Sequence, residues 1–156
     1  SKAYAMTGFR IGYACGPAEL VSAMTRIHQY SMLCASLPSQ EAALEALRNG
    51  DAPMAEMREA YRQRRNVMVS ALNAMGLECH FPRGSFYAFP SIQSTGLDSK
   101  NFAAKLLEAE NVAAVPGNAF GESGEGFLRC CFAAGLEQIE TAMERMARFV
   151  TNTKKG

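Results

Sequence analysis

A primary amine and a guanidinium stand close together early in this chain. Lys2 and Arg10 flank a loop with one glycine, Gly8, and an apolar run, Ile11-Gly12-Tyr13-Ala14-Cys15, follows. Such an amine forms an imine with a carbonyl compound once its neighbours lower its pKa enough to free the nucleophile. A guanidinium at the mouth of a strand can grip a phosphate with two parallel hydrogen bonds, and the Ser1 hydroxyl can serve the same anion. Taken alone, these residues have ordinary explanations. A lysine near a chain end is usually solvated, and an arginine before a strand usually forms a surface ion pair. A second guanidinium is harder to explain away. Arg129 lies within Phe127-Leu128-Arg129-Cys130-Cys131-Phe132, where an unpaired charge is costly. It calls for a bidentate partner, either an internal Asp or Glu or a carboxylate brought from outside.

The elements that must position these side chains follow from apolar spacing and turn residues. Residues 10–16 are predicted as a short strand closed by Gly16-Pro17. Pro17 then opens a helix to about Tyr30, with Leu20, Val21, Met24 and Ile27 on one face. A loop with Pro38 leads to a helix over 39–48 that Asn49-Gly50 stops. Asp51 caps a long helix with Pro53 in its first turn, ended by Gly76. Its inward face carries Met57, Tyr61, Met68, Leu72 and Met75. Arg58, Glu59, Arg62, Arg64 and Arg65 make a solvated outer face.

Beyond Gly76 the pattern changes. Strands are predicted over 77–81 and 85–89, around the turn Pro82-Arg83-Gly84. Asp98 caps a helix to about Glu110, packed through Phe102, Leu106 and Leu107. A short strand over 112–115 ends at Pro116-Gly117, and residues 117–126 form a glycine-rich loop. That loop lacks the Gly-Lys-Ser/Thr ending of a phosphate-binding loop, so its glycines serve tight turns. A strand over 127–132 precedes a final helix over 136–150, with Leu136, Ile139, Met143, Met146 and Val150 inward, and residues 151–156 are expected to fray. The fold class is α/β, with a small sheet covered by helices in the second half.

Composition excludes several classes of partner. Sixteen Lys plus Arg against fifteen Asp plus Glu leave a formal charge of +1, so there is no electrostatic case for nucleic acid or an anionic membrane. An odd number of cysteines, five, without a Cys-x-x-Cys motif argues against a disulfide framework or zinc site and for free thiols in a reducing cytoplasm. His28 and His80 lie far apart in sequence, and Cys79-His80 has no further ligands beside it. No metal is expected. The chain begins Ser1-Lys2-Ala3 without an initiator Met or an apolar signal core, and it is expected to be a piece of something longer.

The run Ser1-Lys2-Ala3-Tyr4-Ala5-Met6-Thr7-Gly8-Phe9-Arg10-Ile11-Gly12 resembles the lysine signature of the class I and II pyridoxal-phosphate aminotransferases of fold type I. The resemblance implies that Lys2 carries the pyridoxal 5'-phosphate as an imine and then shuttles the proton between substrate Cα and cofactor, with Ser1 and Arg10 on the cofactor phosphate. His28-Gln29-Tyr30 followed by Pro38-Ser39-Gln40-Glu41-Ala42-Ala43 is similar to a stretch that, in these homodimers, reaches the neighbouring active site. Pro82-Arg83-Gly84-Ser85-Phe86-Tyr87 resembles the small-domain turn that lays an aromatic, here Phe86, over the substrate. Ser85 stands where the family often has a second glycine. The segment from Val115-Pro116-Gly117 to Phe132 resembles the closing loop and strand, in which Arg129 binds the substrate α-carboxylate.

The organisation implied is a remnant of the large cofactor-binding domain over 1–50 (a short strand plus helices), a connecting helix over 51–76, and a small C-terminal α/β domain over 77–156 with a mostly antiparallel sheet. The implied activity is transfer of an amino group between an amino acid and a 2-oxo acid. A C–S lyase of the same fold and a non-catalytic carboxylate-binding module are the alternatives. Tyr30-Ser31-Met32-Leu33-Cys34 contains no arginine, which argues against a strict aspartate enzyme and for an aromatic or neutral donor. The family's pyridinium-binding aspartate, stacking aromatic and glycine-rich phosphate turn all precede the lysine and are not in this sequence. These residues by themselves are therefore expected to have little or no transaminase activity.

Overall fold

The computed structural model describes residues 1–153, and the chain divides into two compact units, Ser1–Arg58 and a second from Glu59 onward. Each is built by local rules that the sequence displays.

In the first unit a tight opening turn is closed by hydrogen bonds from Met6 N to Ser1 O (2.7 Å) and from Ala5 N to Lys2 O (3.3 Å). A 3-10 turn at Thr7–Phe9 follows. Helix α1 spans Ala18–Ser31 and α2 spans Leu37–Asn49, the latter admitting Pro38 in its first turn, where its missing N–H costs nothing. The α2 helix thus begins two residues before the predicted start. The buried Ser39 donates its hydroxyl to Phe9 O at 2.8 Å, tying α2 to the 3-10 turn. At the other end of α2 the Tyr4 ring lies against Gly50, where an added Cβ would come within 2.9 Å of it.

Two expectations fail here. Residues 11–15 form no strand: a strand needs a ladder partner, and this run is irregular and mostly exposed. The apolar face predicted for α1 is not buried either, with Leu20 62%, Met24 51% and Ile27 70% exposed.

Helix α3, Asp51–Ala74, contains the boundary between the units. Met68, Val69 and Leu72 on its C-terminal half are buried. Its outer face is less uniformly solvated than predicted: Arg64 and Arg65 are half-buried, over the rings of Tyr61 (5.4 Å) and Phe81 (4.1 Å), because guanidinium planes stack favourably on aromatic faces.

The second unit is a mixed α/β layer. Strands β1 (Tyr87–Ala88), β2 (Val115–Pro116) and β3 (Leu128–Cys131) form an antiparallel sheet in the order β1-β3-β2. Helices α4 (Ser99–Glu110) and α5 (Leu136–Thr153) complete it. Asp98 caps α4 as predicted, accepting from Asn101 N. Leu72, Leu77, Ile92, Phe102, Leu106, Leu128, Phe132, Met146 and Val150 form its core with little or no exposure.

Several details depart from expectation. Leu107 is 51% exposed rather than packed. Residues 77–81 keep strand-like alternation, with Leu77 and Cys79 buried and Glu78 and His80 exposed, yet no strand forms. The Asn73 side chain accepts from Cys79 N (3.0 Å) and donates to Cys79 O (3.3 Å), so one amide group does the work of a neighbouring strand. Residues 151–153, expected to fray, continue α5; the rest of that predicted tail lies outside the described residues. Among the described residues no helix is long and apolar enough to cross a membrane.

Candidate functional site

The opening segment gathers three of the residues singled out from sequence. The Ser1 hydroxyl donates to the carbonyl of Ile11, the neighbour of Arg10. Arg10 adopts a left-handed backbone (φ 53°) as it closes the 3-10 turn, and its Nη1 donates to Thr7 O at 2.9 Å. Ser1, Lys2 and Arg10 are all exposed. The result is a small cationic loop with one hydroxyl, one amine and a guanidinium that has N–H donors to spare.

Arg129 sits in the middle of β3, where alternation decides direction. Leu128 and Cys130 point into the core, so Arg129 and Cys131 share the other face. Antiparallel pairing sets Val115 opposite Arg129 and Tyr87 opposite Cys131. Tyr87 is therefore the diagonal neighbour of Arg129 on one face, within reach of a long side chain. The Arg129 guanidinium carbon lies 4.5 Å from the Tyr87 ring centre and 4.7 Å from that of Phe120. Among the described residues Arg129 makes no ion pair and no side-chain hydrogen bond, since the two ion pairs are Arg62–Glu59 and Arg148–Glu110. The internal acidic partner left open by the sequence is not found among the described residues.

Phe86 has a different position. It packs against the core, with its ring centre 6.2 Å from Tyr61, and its carbonyl accepts from Phe132 N. The ring against Arg129 is Tyr87, one residue further along. Neither Tyr87 nor Phe120 was singled out from the sequence. Tyr87 is the first residue of β1, and its ring centre lies 4.5 Å from that of Phe86 just before the strand.

Phe120 reaches the site from the glycine-rich loop, which folds as two 3-10 turns, Gly117–Phe120 and Glu122–Gly124. The turns are pressed together so closely that a Cβ on either Gly117 or Gly124 would overlap the carbonyl of the other. Gly117 N also donates to Phe127 O at 2.9 Å. Glu125 anchors the loop further by accepting from Ser99 N (2.7 Å), Ser99 Oγ (2.8 Å) and Gly126 N (2.9 Å). These hydrogen bonds, led by the Ser99 backbone N–H, hold the Glu125 carboxyl below the usual carboxylate range.

A lysine–arginine loop and a carboxylate-seeking arginine on a short strand are joined by a match to the family "Aminotransferase class I and II" over residues 1–146. The chain belongs to the class I and II aminotransferases. This family of enzymes is generally pyridoxal-phosphate dependent. The chain is 53% identical over 153 residues to YugH of Bacillus subtilis, covering 98% of this chain and 40% of that protein. It is 42% identical to aromatic-amino-acid aminotransferase 2 of Thermococcus litoralis, covering 99% of this chain and 40% of that one. The solved aromatic aminotransferase of Pyrococcus horikoshii superposes with a TM-score of 0.95 at 41% identity, over 99% of this chain and 42% of that chain. The chain thus spans about 40% of the length of the aminotransferases it matches.

The donor set of the opening loop fits the family's cofactor in kind. A phosphate needs cationic and hydroxyl donors, which Arg10 and Ser1 have. An aldehyde needs a primary amine, which Lys2 has. The Ser1 hydroxyl, now donating to Ile11 O, would turn to donate its hydrogen bond to a phosphate oxygen.

Proposed function

We propose that the protein carrying this chain transfers an amino group between an amino acid and a 2-oxo acid, and that Ser1, Lys2, Arg10 and Arg129 are its contributions to the active site. The observation that carries the reading is Arg129: a half-buried guanidinium in mid-strand, with no acidic partner among the described residues and its forked edge left for a carboxylate. Residues 1–50 then belong to the cofactor-binding domain and residues 77–156 to the small domain, with the helix over 51–76 connecting them.

Pyridoxal phosphate, when bound, supplies the electron sink that lets a substrate Cα lose its proton. Arg10 and Ser1 would hold its phosphate. Lys2 would supply the primary amine that the aldehyde needs, and its Nζ would hold and return the substrate Cα proton. Arg129 would bind the α-carboxylate and so restrict the substrate's orientation. The segment Tyr30-Ser31-Met32-Leu33-Cys34 brings no second cation for a side-chain carboxylate, which supports an aromatic or neutral donor. A homodimer in a reducing cytoplasm agrees with the family and with the five free thiols.

The test is reduction with borohydride in the presence of pyridoxal phosphate, followed by peptide mapping of the full-length protein. The pyridoxyl label is expected on Lys2, and a protein labelled elsewhere or not at all overturns the reading. Pyruvate release from cystathionine in place of amino transfer would assign the C–S lyase reaction instead. The 156 residues assayed alone are expected to show little or no transamination, because ring-nitrogen pairing and ring stacking need groups beyond these residues.

A further inference from the structure

The two rings against Arg129 come from separate elements and are braced by different neighbours. Tyr87 is on β1, with its ring centre 4.5 Å from that of Phe86. Phe120 ends the turn Gly117–Phe120, with its ring centre 6.2 Å from that of Phe89, which stacks in turn on Phe127 at 5.4 Å. The guanidinium is therefore approached independently from the sheet and from the glycine-rich loop. We infer that Tyr87 and Phe120 are positioning residues for Arg129: the paired rings hold its guanidinium with the N–H edge presented to a planar carboxylate.

The physical case rests on what an arginine loses on binding. Its side chain is long and rich in rotamers, and immobilising it upon binding lowers affinity. Guanidinium is weakly hydrated across its faces and strongly hydrogen-bonding at its edges. Aromatic rings attract the cation without consuming any N–H donor. A carboxylate partner would fix the side chain equally well, but would occupy the edge that the ligand needs. Rings thus pre-organise Arg129 while leaving its fork free.

The loop is built to hold its ring in place. Phe120 follows a turn fixed by the Gly117–Gly124 approach and by the Gly117 N to Phe127 O bond, and the Glu125 anchor on Ser99 lies just beyond. This inference rests on the carboxylate-binding reading of Arg129, and the test separates the two.

The Arg129 Nε–H resonance of the full chain is followed by nitrogen-15 NMR while propionate, a carboxylate with no carbonyl for Lys2 to attack, is added. In the unmodified chain the resonance is expected to move saturably. In Phe120→Leu and in Tyr87→Leu about tenfold more propionate is expected for the same shift. Phe120→Tyr and Tyr87→Phe keep a ring and are expected to titrate like the unmodified chain. Phe120 is 51% exposed, so its loss leaves the core intact and Phe120→Leu is expected to fold.

Leucine variants that saturate at the unmodified concentration overturn the positioning role and leave the carboxylate site standing. A Tyr87→Phe variant as weak as Tyr87→Leu overturns it too, by assigning the effect to the hydroxyl. A resonance that does not move in the unmodified chain overturns the carboxylate site itself, and this inference with it.

Discussion

Glu125 grips Ser99 twice, accepting from its backbone N at 2.7 Å through Oε1 and from its hydroxyl at 2.8 Å through Oε2. Ser99 is the first residue of α4 and is fully buried. A carboxylate 26 positions away in sequence thus satisfies an N–H at the head of that helix, beside the local cap Asp98, which serves Asn101 N. Two carboxylates sit at the positive end of one helix dipole, and through Glu125 one of them also secures the glycine-rich loop.

This double cap predicts acid sensitivity. The Ser99 N–H and hydroxyl, with Gly126 N–H, lower the Glu125 pKa, and the Asn101 backbone and side chain lower that of Asp98. A folded-state pKa below the unfolded one gives stability that is present above the unfolded value, about 4.3 for Glu and 3.9 for Asp. That stability is lost as pH falls through the lower folded values. Thermal unfolding midpoints are expected to fall below about pH 4. Glu125→Gln is expected to lower the midpoint at pH 7 and flatten its acid dependence. An unchanged acid slope in that variant would show that Glu125 is not the group responsible.

Helix α4 offers a second, sharper contrast. Phe102 is fully buried, edge-on to Phe149 with ring centres 5.0 Å apart, whereas Leu107 on the same helix is 51% exposed. Phe102→Ala is expected to cost about 3–5 kcal/mol, the range for emptying a buried aromatic site. Leu107→Ala is expected to stay within about 0.5 kcal/mol of the unmodified protein. Denaturant unfolding of both measures the difference, and comparable costs would mean that Leu107 packs as periodicity alone suggests.

The five thiols are expected to separate into two classes. Cys15, Cys34 and Cys131 are exposed, while Cys79 and Cys130 are buried. Burial pushes the Cys130 thiol up to about 12 and raises that of Cys79. Since the thiolate is the reactive species, an aromatic disulfide reagent at pH 8 is expected to titrate three thiols quickly and the other two only after unfolding. Rapid reaction of all five in the folded protein would contradict the packing around β3.

How much of this was legible in the sequence depended on whether the deciding interaction was local. The cap at Asp98 and the inward positions Ile139, Met143, Met146 and Val150 of α5 were readable, since each depends on residues within a few positions. Leu136, expected inward at the first turn, is instead 38% exposed. Strand status was readable only in part, since β1 and β3 fall within the strands expected over 85–89 and 127–132 while other expected strands do not form. Residues 11–15 and 77–81 have strand-forming compositions, but a strand exists only when a partner supplies the ladder, and at Cys79 the Asn73 amide supplies those bonds instead. The site was legible in the same uneven way. Arg129 stands out by its apolar setting, whereas Lys2 and Arg10 stand out only through the resemblance of the run around them to the family's lysine signature. Tyr87 and Phe120 meet Arg129 only through sheet register and a turn whose closeness depends on Gly117 and Gly124, and neither is a local property.

Replacing Arg129 tests the site at the level of chemistry. Arg129→Lys keeps the positive charge and much of the length, but exchanges a planar fork for a point charge, so a bidentate carboxylate contact loses one of its two hydrogen bonds. Hydrogen bonds to charged groups are worth about 1.5–3 kcal/mol, so kcat/KM in the full-length enzyme is expected to fall about 10- to 100-fold. The loss should be equal for aromatic, aliphatic and acidic amino donors, because all present the same α-carboxylate. Should the penalty fall on acidic donors alone, Arg129 would be reading the substrate side chain, and the α-carboxylate would need another partner.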